Sequence, residues 1–362
     1  MNILMISFLA KEKEGRFNRC YNSVSKKHEV FIIDVDDREY FDNKRICLKL
    51  KNRNPIFRYF EFTYKVIKAS KKLKFDTIYA HNYFTCLPAI IISKLGRKKL
   101  IYDAYELYYP AGKNPFSMRD SFFYFFEKKA IKSADEVVCA NNERALIMAG
   151  HYNLRKIPTV IGNMAKDDLY EDVPKKQICN SHIVKIVYAG YLAYDRSILE
   201  LVCSIKENKY EKKIILDIYG YGPLLNELTI MAAKEEYSFM KIMGSYLNSQ
   251  LDLILSNYHI GYVSYPNTDF NNIFCCPNKV FDYAHNGLVV LAPNNYGLSA
   301  MISKYKIGCC NNNINYAISN ILLNYNYYQK NLKLFLNDNN WSNEEVKLLE
   351  LLNNNSRIDG EV

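Results

Sequence analysis

The sequence predicts two doubly wound α/β domains, and three observations carry that prediction. Strand-like apolar runs at Ile3–Ser7, Glu29–Asp34, Thr77–His81, Leu100–Asp103, Glu136–Ala140 and Thr159–Ile161 are separated mostly by helix-length segments. Such alternation builds a parallel sheet. A second series begins at Lys185–Ala189 and continues through Ile214–Gly220, Lys241–Met243, Ile260–Ser264 and Leu288–Ala292. Between the two, Ala165–His182 loses apolar periodicity and gains charges and Pro174, as an interdomain linker does. The chain thus divides into residues 1–165, a linker at 166–183, a second domain at 184–340 and a terminal helical segment at 341–362. Ligand is expected in a cleft between the domains, at the carboxyl ends of both sheets.

The first domain opens with Asn-Ile-Leu-Met-Ile-Ser, a buried-strand pattern without a basic leader. No apolar run approaches the roughly 20 residues that span a bilayer, so a cytoplasmic protein is expected. The loop Ser7–Arg19 carries one glycine, Gly15, and no G-x-G-x-x-G. Redox chemistry with a dinucleotide therefore loses support, although the loop still borders the end of the first strand. Asp34-Val35-Asp36 has the D-x-D form that holds metal elsewhere, but its acids follow a first-domain strand and read as a solvated loop. The ten cysteines are scattered or adjacent, as in Cys275-Cys276 and Cys309-Cys310. Without C-x-x-C spacing they read as free, mostly buried thiols, and no metal site is expected.

The net charge of +10 is unevenly placed, for Lys49–Lys74 holds nine Lys or Arg against one acid, Glu61. Interleaved Phe57, Tyr59, Phe60, Phe62 and Tyr64 make this segment amphipathic. Two readings stand: contact with anionic lipid headgroups or a lipid-linked phosphate, or a solvated helix face. Nucleic acid is not an expected partner. Further along, Phe116–Ser133 alternates aromatics with charges; the Phe122–Phe126 cluster reads as packing, with membrane contact as the other option.

Several strand ends present chemistry-bearing residues. His81 closes its strand, where it either faces the cleft or caps local structure. Asp103, Tyr105 and Glu106 follow Leu100–Tyr102, and Asp103 also suits a helix N-cap. In the second domain, Gly190 ends a strand with Arg196 at the start of the next helix, a pairing that admits diphosphate to the backbone and adds a bidentate clamp. Gly220 and Gly222 repeat the glycine logic in Tyr-Gly-Tyr-Gly-Pro, though a tight β-to-α turn needs the same residues. Gly244 falls in Met243–Tyr246.

The most informative stretch is Cys276–Pro293, C-P-N-K-V-F-D-Y-A-H-N-G-L-V-V-L-A-P. Pro277 suits a first helical turn and Gly287 a helix stop before a buried strand, giving a helix at Asn278–Asn286. Lys279 and Asp282 share one face beside its N-terminus. There a cation would neutralise diphosphate and a carboxylate would accept from ribose hydroxyls. The same spacing also fits an ordinary surface ion pair. At the chain's end, Ser342 and Glu345 form a capping-box pattern.

This stretch resembles the donor-site motif of glycosyltransferase family 4, in the branch reading P-N-K-hydrophobic-F-[ED]-Y, through Pro277, Asn278, Lys279, Phe281, Asp282, Tyr283 and Gly287. The wider family has two glutamates seven residues apart, where this chain has Phe274 and Asp282. Leu100–Leu107 resembles the family's Y-D-x-H-E-L segment with Tyr105 in place of histidine, Ala134–Val137 its A-D-x-V strand, and Asn163 the asparagine that closes the first lobe. Gly190–Arg196 resembles G-x-L-x-x-x-[RK], Gly220–Pro223 resembles G-x-G-P, and Met243–Tyr246 a segment lining the base pocket.

The resemblance implies a GT-B architecture whose last helix crosses back to the first lobe. It also implies a retaining transfer of sugar from a nucleotide-diphosphate donor to an acceptor hydroxyl, without added cofactor or metal. Arg196, Lys279 and Asp282 would serve the reaction, with Gly190, Gly220, Gly222, Gly244 and Asn278 around the donor. His81, Asp103, Tyr105 and Glu106 would lie on the side of a glycan or lipid-linked glycan acceptor, in surface-polysaccharide synthesis. The alternatives are a non-catalytic nucleotide- or sugar-binding subunit and a sugar-nucleotide epimerase.

Overall fold

The structure, a computed structural model, describes residues 1–108, 117–164, 173–178, 182–207, 210–275 and 277–354. It divides into two units, Met1–Asn163 with Trp341–Val362, and Met164–Asn340. Most of the expected linker, residues 166–172 and 179–181, lies outside the described residues.

Eight strands form the first unit's sheet: β1 (Asn2–Ile6), β2 (Glu29–Val35), β3 (Tyr40–Phe41), β4 (Arg45–Leu48), β5 (Thr77–His81), β6 (Lys99–Ala104), β7 (Glu136–Cys139) and β8 (Thr159–Val160). Their order is β3-β4-β2-β1-β5-β6-β7-β8, parallel except for β3 against β4. Leu4, Met5 and Ile6 have no exposed surface, because a central parallel strand is covered on both faces. From β1 the chain winds outward to β2 and β4, then returns to the far side of β1 at β5. The switch point therefore lies between β1 and β5, which pair through Ile3–Ile6 and Thr77–Ala80.

The helices of this unit are α1 (Gly15–Val24), α2 (Pro55–Ser70), α3 (Cys86–Gly96), α4 (Met118–Ser133) and α5 (Asn142–Tyr152). Local chemistry sets their starts. The Asn54 side chain accepts from the N–H groups of Ile56 and Phe57, with Pro55 in the first turn, an arrangement that satisfies otherwise orphaned donors. Ser117 and Asp120 make a reciprocal capping box at α4.

The second unit holds β9 (Ile183–Tyr191), β10 (Lys213–Tyr221), β11 (Met240–Gly244), β12 (Ile260–Tyr262), β13 (Val289–Ala292) and β14 (Gly308–Cys310). All pairings are parallel in the order β11-β10-β9-β12-β13-β14. Its switch point is between β9 and β12. Helices α6 (Ile198–Glu207), α7 (Leu225–Ala232), α8 (Leu251–Leu255), α9 (Phe270–Ile273), α10 (Asn278–His285), α11 (Tyr296–Tyr305) and α12 (Ile314–Asp338) complete it. The core joins Ile186, Tyr188, Leu216, Ile218, Tyr262 and Leu291 of the strands to Leu201 of α6 and Ile318 and Ile321 of α12.

The last helix, α13 (Trp341–Asn354), belongs to the first unit. Buried Trp341 donates its indole N–H to Ser23 Oγ at 2.9 Å, and Glu344 accepts the Gly162 N–H at 2.6 Å. The helix begins at Trp341, one residue before the expected cap Ser342, and Glu345 pairs with Lys26 at 2.7 Å. Among the described residues no helix is long and apolar enough to cross a membrane.

Candidate functional site

At the second unit's switch point two cations converge. Gly190 ends β9, and Arg196 lies in the turn that follows, where its own N–H bonds back to the Ala193 carbonyl at 3.1 Å. Its guanidinium reaches across the switch point to the Ser264 carbonyl after β12, donating from Nη1 at 3.2 Å, and sits 4.4 Å from the centre of the Tyr265 ring. Lys279, in the first turn of α10, lays its ammonium 4.6 Å from the centre of the Tyr188 ring. Burial, reinforced by the Arg196 charge and opposed by Asp282, pushes the Lys279 pKa down to about 7. Asp195 stands 3.6 Å from Arg196 Nε and Asp282 lends its charge to Lys279, yet burial and the neighbouring guanidinium still favour the neutral lysine, as in a site that an added anion would stabilise.

Glycine makes this approach possible. A Cβ on Gly190 would overlap the Lys279 ammonium, and one on Gly220 would overlap the Gly190 carbonyl oxygen; both residues have positive φ. The two pair directly in the β9–β10 register. Gly222 packs against the Leu192 backbone, whereas Gly244, ending β11, faces open space. Asp282 is partly exposed on α10, its charge felt by both Lys279 and Tyr246. Asn278 is exposed at the helix start, and Pro277 caps it with φ −76° and ψ 130°. The structure thus brings Gly190, Arg196, Lys279 and Asp282 together, with Gly220 buttressing them.

A clamp that the sequence reading missed holds the neighbouring loop. Buried Asn295 caps α11 by accepting the Leu298 N–H at 3.2 Å, while its amide donates to Asn272 O and Asn267 Oδ1 at 3.0 and 3.1 Å. Its only sequence signal is that of an ordinary N-cap. Phe274 packs edge-on against Phe270 and Tyr296, with centroids 5.7 and 5.1 Å away. Cys276 lies outside the described residues.

In the first unit the acidic candidates sort differently from expectation. Asp103 is fully buried and caps no helix; its carboxylate accepts Arg16 Nε and Nη2 at 2.9 and 3.0 Å, Tyr79 Oη at 2.9 Å, and meets His81 Nδ1 at 3.3 Å. Burial works against the charge, but Arg16 and His81 outweigh it and hold Asp103 well below the usual carboxylate range. Three of these contacts fall on Oδ2 and one on Oδ1. Arg16, equally buried, also donates to the carbonyls of Ile161 and Gly162 at 2.8 and 3.2 Å. No local motif marks it, since its partner Asp103 lies 87 residues away. His81 is 1% exposed, its Nδ1 meeting Asp103 and its Nε2 facing Glu14 at 3.7 Å. Tyr105 and Glu106 remain partly exposed, and Tyr105 lies 5.7 Å from His81 between ring centres.

Asp34 corrects the solvated-loop reading of the D-x-D: it is buried within β2 and pairs with Arg45 of β4 at 2.6 Å, while Asp36 pairs with Lys13. Among the described residues, no group of three or more His, Cys, Asp or Glu is placed to hold a metal ion. The described cysteines are free; Cys20, Cys47, Cys86, Cys139 and Cys275 are buried. The basic aromatic segment becomes α2, and it splits by face. Tyr59 and Phe62 are core residues, whereas Phe57, Phe60 and Tyr64 are 64%, 46% and 66% exposed. In α4, Phe123 is buried and Phe125 half exposed.

Sequence comparison finds no matching family model and no matching curated protein. Solved structures do match over the whole length. Sucrose-phosphate synthase from Thermosynechococcus elongatus superposes with a TM-score of 0.74 at 14% identity, over 99% of this chain and 100% of that one. Anabaena HepE in complex with UDP-glucose gives 0.70 at 12%, over 98% and 100%. The fold is GT-B. The GT-B likeness also extends to a candidate UDP-N-acetylglucosamine 2-epimerase from Listeria monocytogenes, at 0.65 and 12%, over 100% and 97%.

Proposed function

We propose that the chain is a glycosyltransferase that moves a sugar from a nucleotide-diphosphate donor to an acceptor hydroxyl, with retention at the anomeric carbon. The convergence of Arg196 and Lys279 against Gly190 carries this reading. Two cations and main-chain N–H groups at a switch point suit a diphosphate, whose charge grows as the glycosidic bond breaks. In the proposed reaction the sugar–phosphate bond cleaves, the electron pair leaves with the nucleotide diphosphate, and the acceptor oxygen takes its place on the same face as its proton passes to the departing phosphate oxygen. Lys279 and Arg196 stabilise the leaving group, Asp282 accepts from ribose hydroxyls, and Gly220, Gly222 and Gly244 let the backbone meet the nucleotide. No added cofactor or metal is required in this scheme.

We place the acceptor among glycans or lipid-linked glycans of surface-polysaccharide synthesis, with the protein on the cytoplasmic side. The exposed face of α2 supports this, since Phe57, Phe60 and Tyr64 adjoin exposed Lys68, Lys71 and Lys72 and suit an anionic headgroup layer. Flotation with vesicles containing phosphatidylglycerol checks it; protein left in the pellet fraction removes the membrane from the proposal.

A thermal-shift screen of nucleotide diphosphates and their sugars tests the reading, because a ligand bound only by the native state raises its stability. At least one diphosphate is expected to stabilise the wild type, and Lys279→Ala and Arg196→Ala to remove the effect. Calorimetric affinities unchanged in both variants would refute the site. An epimerase, the reading favoured by the Listeria likeness, would interconvert sugar isomers without needing a glycan, whereas a non-catalytic subunit would bind and turn nothing over.

A further inference from the structure

The first unit has a switch point of its own, and its chemistry is opposite in sign. Glu14 lies in the loop after β1, and His81 ends β5, so the two occupy the crevice expected to hold ligand in an open α/β sheet. Glu14 occupies the N-cap position of α1, yet its side chain makes no capping bond. Its Oε1 instead points to His81 Nε2 at 3.7 Å, and its side chain keeps 16% of its surface in solvent. That distance exceeds a hydrogen bond, and the buried Nε2 finds no hydrogen-bond partner. Behind it, Nδ1 faces Asp103, which Arg16 and Tyr79 lock in place.

We propose that Glu14 binds a hydroxyl of the acceptor sugar, and that His81 positions Glu14 rather than touching the sugar itself. The proposal rests on the transferase reading and names a contact within it. A carboxylate at the mouth repels phosphate and accepts from hydroxyls, so the ligand class is a neutral polyol. The row Arg16, Asp103, His81, Glu14 runs outward from the core and ends at this one solvent-reaching group. Tyr105, its carbonyl held by Arg144 Nη1 at 3.1 Å, walls the other side of the His81 ring.

The experiment uses the full chain with 13C-labelled histidine, whose six residues give a spectrum assignable with His81→Gln. Methyl α- and β-pyranosides of glucose, galactose and mannose are titrated in the presence of UDP. One glycoside or more is expected to move the His81 signal. Glu14→Ala should weaken that binding tenfold or more, Glu14→Gln less because its carbonyl still accepts, and both should bind UDP as the wild type does. In turnover with a responsive glycoside, Glu14→Ala should raise KM far more than it lowers kcat. If Glu14→Ala binds the glycosides as tightly as wild type, or if none moves His81 while UDP binds normally, the assignment of Glu14 fails. Absence of binding by every nucleotide diphosphate in the thermal-shift screen would instead sink the transferase reading.

Discussion

The Lys279 ammonium rests 4.6 Å from the centre of the Tyr188 ring and against Gly190, so a cation occupies ground that a side chain at residue 190 would fill. Burial and Arg196 hold its pKa at about 7. For a base whose pKa is depressed, the charged form dominates below that value and fades above it. A bound diphosphate restores the charge, so binding above pH 7 takes up a proton. Affinity for the nucleotide-diphosphate sugar that stabilises the wild type should be steady below pH 7 and weaken by up to about tenfold per pH unit above it. Calorimetry in buffers of unlike ionisation heat measures the uptake at pH 8. Lys279→Arg should flatten the profile, since guanidinium stays charged; a wild-type profile already flat contradicts the assignment.

Gly190→Ala should leave the fold intact and displace Lys279. The collision is with the far end of a flexible side chain, so the lysine swings away more readily than β9 moves. Donor affinity is expected to fall tenfold or more, while the positive φ at 190 lowers stability by about 1–3 kcal/mol. Retained affinity would mean that Lys279 does not bind from its observed position.

Removing one member of the Arg16–Asp103 pair strands a buried charge. Asp103→Asn or Arg16→Met should cost about 3–5 kcal/mol, whereas replacing both with apolar residues should cost less than the two single changes summed. Trp341, the sole tryptophan, is buried in this unit, so its fluorescence reports the transition. Because the Asp103 carboxyl sits below its unfolded value, its contribution is present above the ordinary carboxyl pKa and is lost as pH falls through the native one.

Glu127 of α4 behaves in the opposite way. It is buried, accepts one bond from Tyr102 Oη at 2.7 Å, and leaves its other oxygen without a partner. Burial, opposed by Tyr102 and helped by Glu106, pushes it up to about 8. The native state thus holds a proton the unfolded chain releases near pH 4.3, and stability falls as pH climbs from there toward 8. Glu127→Gln should be more stable than wild type at pH 8 by about 1–3 kcal/mol and indistinguishable near pH 4. Equal denaturation midpoints at pH 8 would show the carboxyl already ionised at no cost.

Both sheets were legible because central parallel strands are apolar runs with glycine or polar stops, and the six strands expected in the first unit all occur. Tyr40–Phe41 and Arg45–Leu48 were not, because β4 is only four residues long and is fixed by β2 and the Asp34–Arg45 pair rather than by its own pattern. The proximity of Lys279 to Gly190 was legible as two separate motifs, since each marks the same end of a strand or helix. Glu14, Arg16 and Asn295 were not. Their partners lie 67, 87 and 23 residues away at His81, Asp103 and Asn272, and nothing in local spacing points across such gaps.

The contact series Gly220, Gly190, Lys279 also bears on how this chain can diverge. A larger residue at 220 would press on the carbonyl of 190, and one at 190 would evict the lysine, so the three positions are epistatic. Drift at one of them carries a penalty set by its neighbour, and a lineage that abandons the lysine relieves only the side-chain collision at 190, because both glycines keep their positive φ and 220 still meets the carbonyl of 190.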